Sequence, residues 1–240
     1  MYKLIDYLKT LLIIPMTLIL SGVSMTSENV ENTVSELFKY GLIGSITAGD
    51  NTQFVFVIES LSFLILFVVL YGNIVHRNFC VASDYRFSKI SNRLLWYGRE
   101  CMHLVIVTFV YSFLYLIIKL MIAINISVYE CDWAAIEYFL MFLCWMCCLN
   151  IIFTLTVNMV ALIKGTNFSM LAFSIGVVIL VSLAIATSLY RIPSFINPLS
   201  INLEWLPWIK VVYLVGIAVV IGIIYGLYIR IYDVGVKEEM

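Results

Sequence analysis

The sequence is poor in charge and in histidine. Lys and Arg number 14 and Asp and Glu 15 in 240 residues, with a net charge of −1. A chain that is 63% hydrophobic, with a mean hydropathy of +1.04, is too apolar for a soluble domain and reads as a polytopic membrane protein. Its two histidines, His76 and His103, leave no HExxH motif, no His-rich metal cluster and no Ser-His-Asp set. There is no GxSxG turn, no pair of acids placed for intramembrane proteolysis, and no GxxxxGK[ST] loop to cradle nucleotide phosphates. We therefore expect no catalysis and no cofactor in this chain. A nucleic-acid partner is unsupported, because the only basic cluster is a short loop beside an apolar run.

The six cysteines are Cys80, Cys101, Cys131, Cys144, Cys147 and Cys148. Only Cys131 is expected to face outside, so no disulfide framework is implied. Cys144-Trp145-Met146-Cys147 resembles a metal-binding CxxC, but it falls in the middle of an apolar run, where small packing residues are the better reading. The apolar run Leu11–Leu20 is expected to be a retained first helix rather than a cleaved signal, because many later runs follow it.

Six apolar runs read as spans, at about 8–23, 54–75, 102–126, 138–163, 168–189 and 209–229. The expected fold is all-α, a single transmembrane domain over 1–240 with six transmembrane helices and both termini cytoplasmic. The first run is short and is interrupted by Pro15. Residues 26–52 form a polar outer loop, in which Val30, Val34, Leu37 and Phe38 mark a short interfacial helix. Lys164-Gly165-Thr166-Asn167 reads as a tight cytoplasmic turn. Residues 190–208 stay apolar yet hold Pro193, Pro198 and Pro207, which forbid a continuous helix. A re-entrant or interfacial segment at the outer surface fits them, with Trp205 and Trp208 at headgroup level.

The topology follows from basic residues. Lys3, Lys9, Arg77, Arg86, Lys89, Arg93, Arg99, Lys164, Arg230 and Lys237 would lie inside; Lys39, Arg191 and Lys210 would lie outside. Short loops rich in Lys and Arg stay cytoplasmic. The richest is residues 76–100, where Phe87, Ile90, Leu94 and Tyr97 recur at helical spacing, with Arg86, Lys89 and Arg93 one residue earlier. Ser83 can cap a helix here, and Asp84 suits its first turn. An amphipathic cytoplasmic helix is expected over about 84–97. It either lies on the inner membrane surface or docks to a cytoplasmic partner.

Two charges fall inside spans. Glu59 and Lys119 would sit at equal depth, roughly 10 Å below the outer surface, on consecutive antiparallel helices. An ionised group there costs at least about 2.5–3.5 kcal/mol. Either the two form an intramembrane ion pair or each snorkels alone to the interface.

The basic helix between spans 2 and 3, with the broken hairpin between spans 5 and 6, resembles the ABC-2 type permeases. Arg86-Phe87-Ser88-Lys89-Ile90-Ser91-Asn92-Arg93-Leu94-Leu95-Trp96, followed by Tyr111 and Tyr115, is similar to the loop and third span of small bacterial permeases of peptide-export and bacteriocin-immunity systems. Trp205-Leu206-Pro207-Trp208-Ile209-Lys210 is similar to the WxPxxD motif of one such group, with Lys210 in place of the Asp. The resemblance implies an ABC-2 exporter-like fold in the bacterial cytoplasmic membrane, and a permease subunit exporting a peptide or other amphipathic substrate. It further implies a separate ABC ATPase that binds ATP and Mg, and a second permease, identical or sister, completing a dimer. By the same resemblance the ATPase would grip Asp84, Arg86, Phe87, Lys89, Ile90, Arg93, Leu94 and Trp96. The reading from another class is a non-transporting scaffold, sensor or immunity protein that binds another membrane protein.

Overall fold

The computed structural model describes residues 8–26, 51–85, 93–126, 133–189 and 207–231, all of them helical apart from short turns. The helices are α1 (Ile13–Thr26), α2 (Asn51–Tyr71), α3 (Ile74–Tyr85), α4 (Arg93–Ile126), α5 (Trp133–Lys164), α6 (Thr166–Leu189) and α7 (Pro207–Ile231). Most are apolar on every side, as helices immersed in lipid are.

Helix α5 is the axis of the bundle. It packs against α2, α3, α4, α6 and α7, while α1 lies against α4 and α2. The crossing part of α5 is 61% buried and that of α7 only 22%, so α5 is central and α7 peripheral. Between α2 and α4 the core is aromatic. Phe63, Phe67 and Tyr71 recur every four residues on α2 and meet Tyr111 and Tyr115 on α4. Phe63 lies 4.6 Å from Tyr115 and Phe67 lies 4.9 Å from Tyr111, centroid to centroid. The Tyr111 hydroxyl donates to the Phe63 carbonyl at 3.0 Å, which satisfies a polar group that lipid would not.

The six-helix expectation is corrected here. Among the described residues four stretches are long and apolar enough to cross a membrane: Leu61–Cys80, Arg93–Ile122, Ile136–Lys164 and Val211–Arg230. Leu8–Ile19 and Thr166–Ile179 are shorter apolar stretches. Pro15 lies in the first turn of α1. It has no N–H to give the Leu11 carbonyl, which accepts instead from Ile14 at 3.1 Å in a tight turn that also draws Leu12 N to Lys9 O at 3.1 Å. The helix beyond that turn has 14 residues, about 21 Å at ~1.5 Å each and short of the ~30 Å of hydrocarbon. Helix α6 runs over 24 residues, Thr166–Leu189, and its described apolar stretch ends at Ile179. The six-crossing ABC-2 exporter-like architecture and the cytoplasmic termini rested on six crossings and fall with them.

The helix boundaries also differ from the apolar runs. The run expected at 54–75 breaks at Gly72–Asn73 and resumes as α3. The helix expected from about 102 already begins at Arg93. At the end of α5, Gly165 adopts φ +91°, a left-handed conformation suited to glycine, and α6 starts at the next residue.

Candidate functional site

The α2–α3 break is the most elaborate polar construction among the described residues. In a continuous helix His76 N–H would donate to the Gly72 carbonyl. Here the Asn158 side chain of α5 is spliced into that bond. Its Nδ2 donates to Gly72 O at 2.6 Å, and its Oδ1 accepts from His76 N at 2.7 Å. The same Nδ2 reaches the Thr154 carbonyl at 2.7 Å. A side chain entering the hydrogen-bond ladder is a known cause of a kink, and it leaves no backbone group stranded. An amide suits the task because it donates and accepts at once. Asn158 itself is fully buried.

Glycine is required at the break. A methyl group on Gly72 would collide with the Val68 carbonyl oxygen and lie 2.9 Å from Val68 Cγ1. Beyond it, Arg77 N donates to Asn73 O at 2.8 Å and restarts the ladder. On α6 the Ser169 hydroxyl donates to Thr166 O at 2.7 Å and lies 3.5 Å from Asn73 Oδ1. Helices α2, α3, α5 and α6 thus meet at one joint.

The joint lies beside the basic end of the bundle. Arg77 on α3, Arg93 and Arg99 on α4, Lys164 on α5 and Arg230 on α7 all stand there. Glu100 is buried, and its Oε2 accepts from Asn78 Nδ2 at 2.8 Å, tying α3 to α4. Trp96 is buried against Phe79 at 5.7 Å and reinforces that tie. His76 Nε2 lies 3.6 Å from Cys80 Sγ. Among the described residues no group of three or more His, Cys, Asp or Glu is placed to hold a metal ion.

The residues picked from sequence are dispersed. Asp84 lies near the end of α3, while Arg93, Leu94 and Trp96 form the first turn of α4. Trp96 faces the core, and Leu94 is exposed. Arg86, Phe87, Lys89 and Ile90 lie outside the described residues, and with them the middle of the expected 84–97 helix. Lys119 is fully buried, its Nζ 5.9 Å from the Tyr115 ring centroid, within cation–π range. Glu59 is on α2, but its side chain lies outside the described residues, as does any pairing with Lys119. Pro193, Pro198 and Trp205 also lie outside them. Pro207 opens α7, where its missing N–H is harmless, and nearby Trp208 Nε1 donates to Glu137 Oε1 at 3.2 Å.

Sequence reasoning missed Gly72, Asn73 and Asn158. A signal existed: Asn150, Thr154 and Asn158 recur every four residues in an otherwise apolar run, a polar line on one face of a spanning helix.

Long apolar helices packed about a buried centre, with charge gathered at one end, decide the class. The chain is a multi-pass helical membrane protein. It matches no family model, no curated protein and no solved structure.

Proposed function

We propose that this protein is a membrane-spanning permease subunit of an ABC exporter, moving a peptide or other amphipathic substrate with ATP hydrolysed by a separate subunit. The observation that carries the reading is the Asn158 splice in the α2–α3 ladder. Broken helices recur in transport proteins, where neighbouring helices satisfy the freed backbone groups. This joint adjoins the basic end, which we assign to the cytoplasm by the excess of Arg and Lys. The chain between α3 and α4 carries Arg86 and Lys89, and the ATPase docks on this connection. A push there is delivered to α3, and the α2–α3 joint passes it into the bundle as a bend. A second permease, identical or sister, completes the path.

The test is purification from the native membrane under mild detergent. An ATP-hydrolysing subunit should accompany the protein, and charge-reversing Arg86→Glu with Lys89→Glu should release it. Recovery of another integral membrane protein, with no ATPase, would favour the scaffold or immunity reading instead.

A further inference from the structure

The inner face of α4 carries Thr108, Ser112, Tyr115 and Lys119 at helical spacing, each with 0% exposure. The facing line on α5 is Cys147, Asn150, Thr154 and Asn158. The two lines meet where Cys147 Sγ lies 3.9 Å from the Thr108 carbonyl and beside Ser112. Asn150 is the middle residue of the Ile136–Lys164 crossing. Asn158 has its bonds in the joint, and Thr108 donates back to Leu104 O at 2.7 Å. The centre differs. Asn150 and Thr154 are both 0% exposed, and neither Asn150 Oδ1, Asn150 Nδ2 nor Thr154 Oγ1 has a hydrogen-bond partner. Ser112 Oγ across the interface is likewise buried, beside Cys147.

Desolvated polar atoms at mid-membrane are costly, and an apolar side chain of similar size would remove the cost. We propose that Asn150 and Thr154, with Ser112, form an internal water-binding site at the α4–α5 interface. The ligand must donate and accept, because Asn150 presents both an NH2 and a carbonyl and Thr154 a hydroxyl. It must also be small, since Met146, Leu149 and Leu155 are packed into the core around this face. Water meets both conditions, and Asn150 and Thr154, one helical turn apart on α5, offer it more than one polar partner. A metal cation does not, because these side chains offer no anionic ligand. The site stands whether or not an ATPase binds. It joins the two central crossings by replaceable hydrogen bonds rather than by fixed side-chain contacts.

The sign of a stability shift tests it. If the cluster is dry, Asn150→Leu removes a desolvated amide and leaves the Tm of the detergent-solubilised protein unchanged or higher. If it holds water, the same change expels the water and strands Thr154, and the Tm falls by at least about 3 °C. Adding Thr154→Val should then recover part of the loss. Because the bulkier Leu side chain alone can lower the Tm, the unsubstituted protein supplies the second measurement. Crystals grown in a lipid mesophase should show ordered water within hydrogen-bond distance of Asn150 Oδ1 or Nδ2. A dry amide in that density overturns the proposal whatever the Tm does.

Discussion

Asn158 closes two backbone groups with one side chain, so its replacement has a defined cost. Asn158→Leu leaves Gly72 C=O and His76 N–H buried without the amide that joins them. Each stranded group costs about 1–3 kcal/mol, so the variant should lose about 2–6 kcal/mol in denaturant titrations in detergent. Asn158→Asp keeps an acceptor for His76 but turns a buried carboxylate oxygen toward the Gly72 and Thr154 carbonyls, and at neutral pH should cost at least as much as Asn158→Leu. A variant as stable as the parent would mean that α2 and α3 seal their own ladder. Lys119 makes a second case. If Glu59 is its partner, Lys119→Met should be strongly destabilising alone and much less so with Glu59→Gln. Additive losses in that double-mutant cycle would show two independent groups. Residues such as Lys119 are conspicuous in sequence because a charge in an apolar run demands explanation. Asn158 is not, since a lone amide is tolerated in a crossing, and only its register with Asn150 and Thr154 marks it.

Helices α3 and α4 are held together by Asn78 on Glu100 and by Phe79 on Trp96. Both rings of the aromatic contact are buried. Trp96→Ala should cost about 3–5 kcal/mol and raise hydrogen exchange selectively in α3 and the first turns of α4. Unchanged protection there would show that α3 is held by something else. At this scale the sequence is legible in part. Runs of apolar residues mark the helices, because lipid admits little else. The α2–α3 break escapes the eye, because Gly72 and Asn73 sit within an unbroken hydrophobic run and only a residue 86 positions later explains them. Pro15 was legible as an interruption. Its consequence, a tight turn that sets the start of α1 at Ile13, depends on which carbonyl takes up the slack. The glycines of α7 also needed the fold. Tyr97 packs over Gly226 and donates to Gly222 O at 2.9 Å, so both serve contacts within the subunit.

The whole molecule is electrically lopsided. Arg77, Arg93, Arg99, Lys164 and Arg230 gather at the end of the bundle that also holds the joint. The proposed function needs this end to face the cytoplasm, the side that short loops rich in Lys and Arg favour. Lys164→Cys, made with Cys80→Ser, Cys101→Ser and Cys131→Ser, should therefore react with a membrane-impermeant maleimide in inside-out vesicles and not in intact cells. The reverse pattern would turn the molecule over and remove the joint from reach of any ATPase. The count of crossings was the feature least legible in the sequence, because hydropathy measures how apolar a run is and not how far a continuous helix extends.

The central claim is that the spliced joint transmits work from a cytoplasmic ATPase into the membrane. The most direct measurement is substrate-stimulated ATP hydrolysis by the purified complex in proteoliposomes, comparing the parent with Asn158→Leu at equal ATPase occupancy. The account predicts that the variant keeps its ATPase and loses stimulation at least about tenfold. Stimulation undiminished in the variant, or a parent protein to which no ATPase binds, would contradict it.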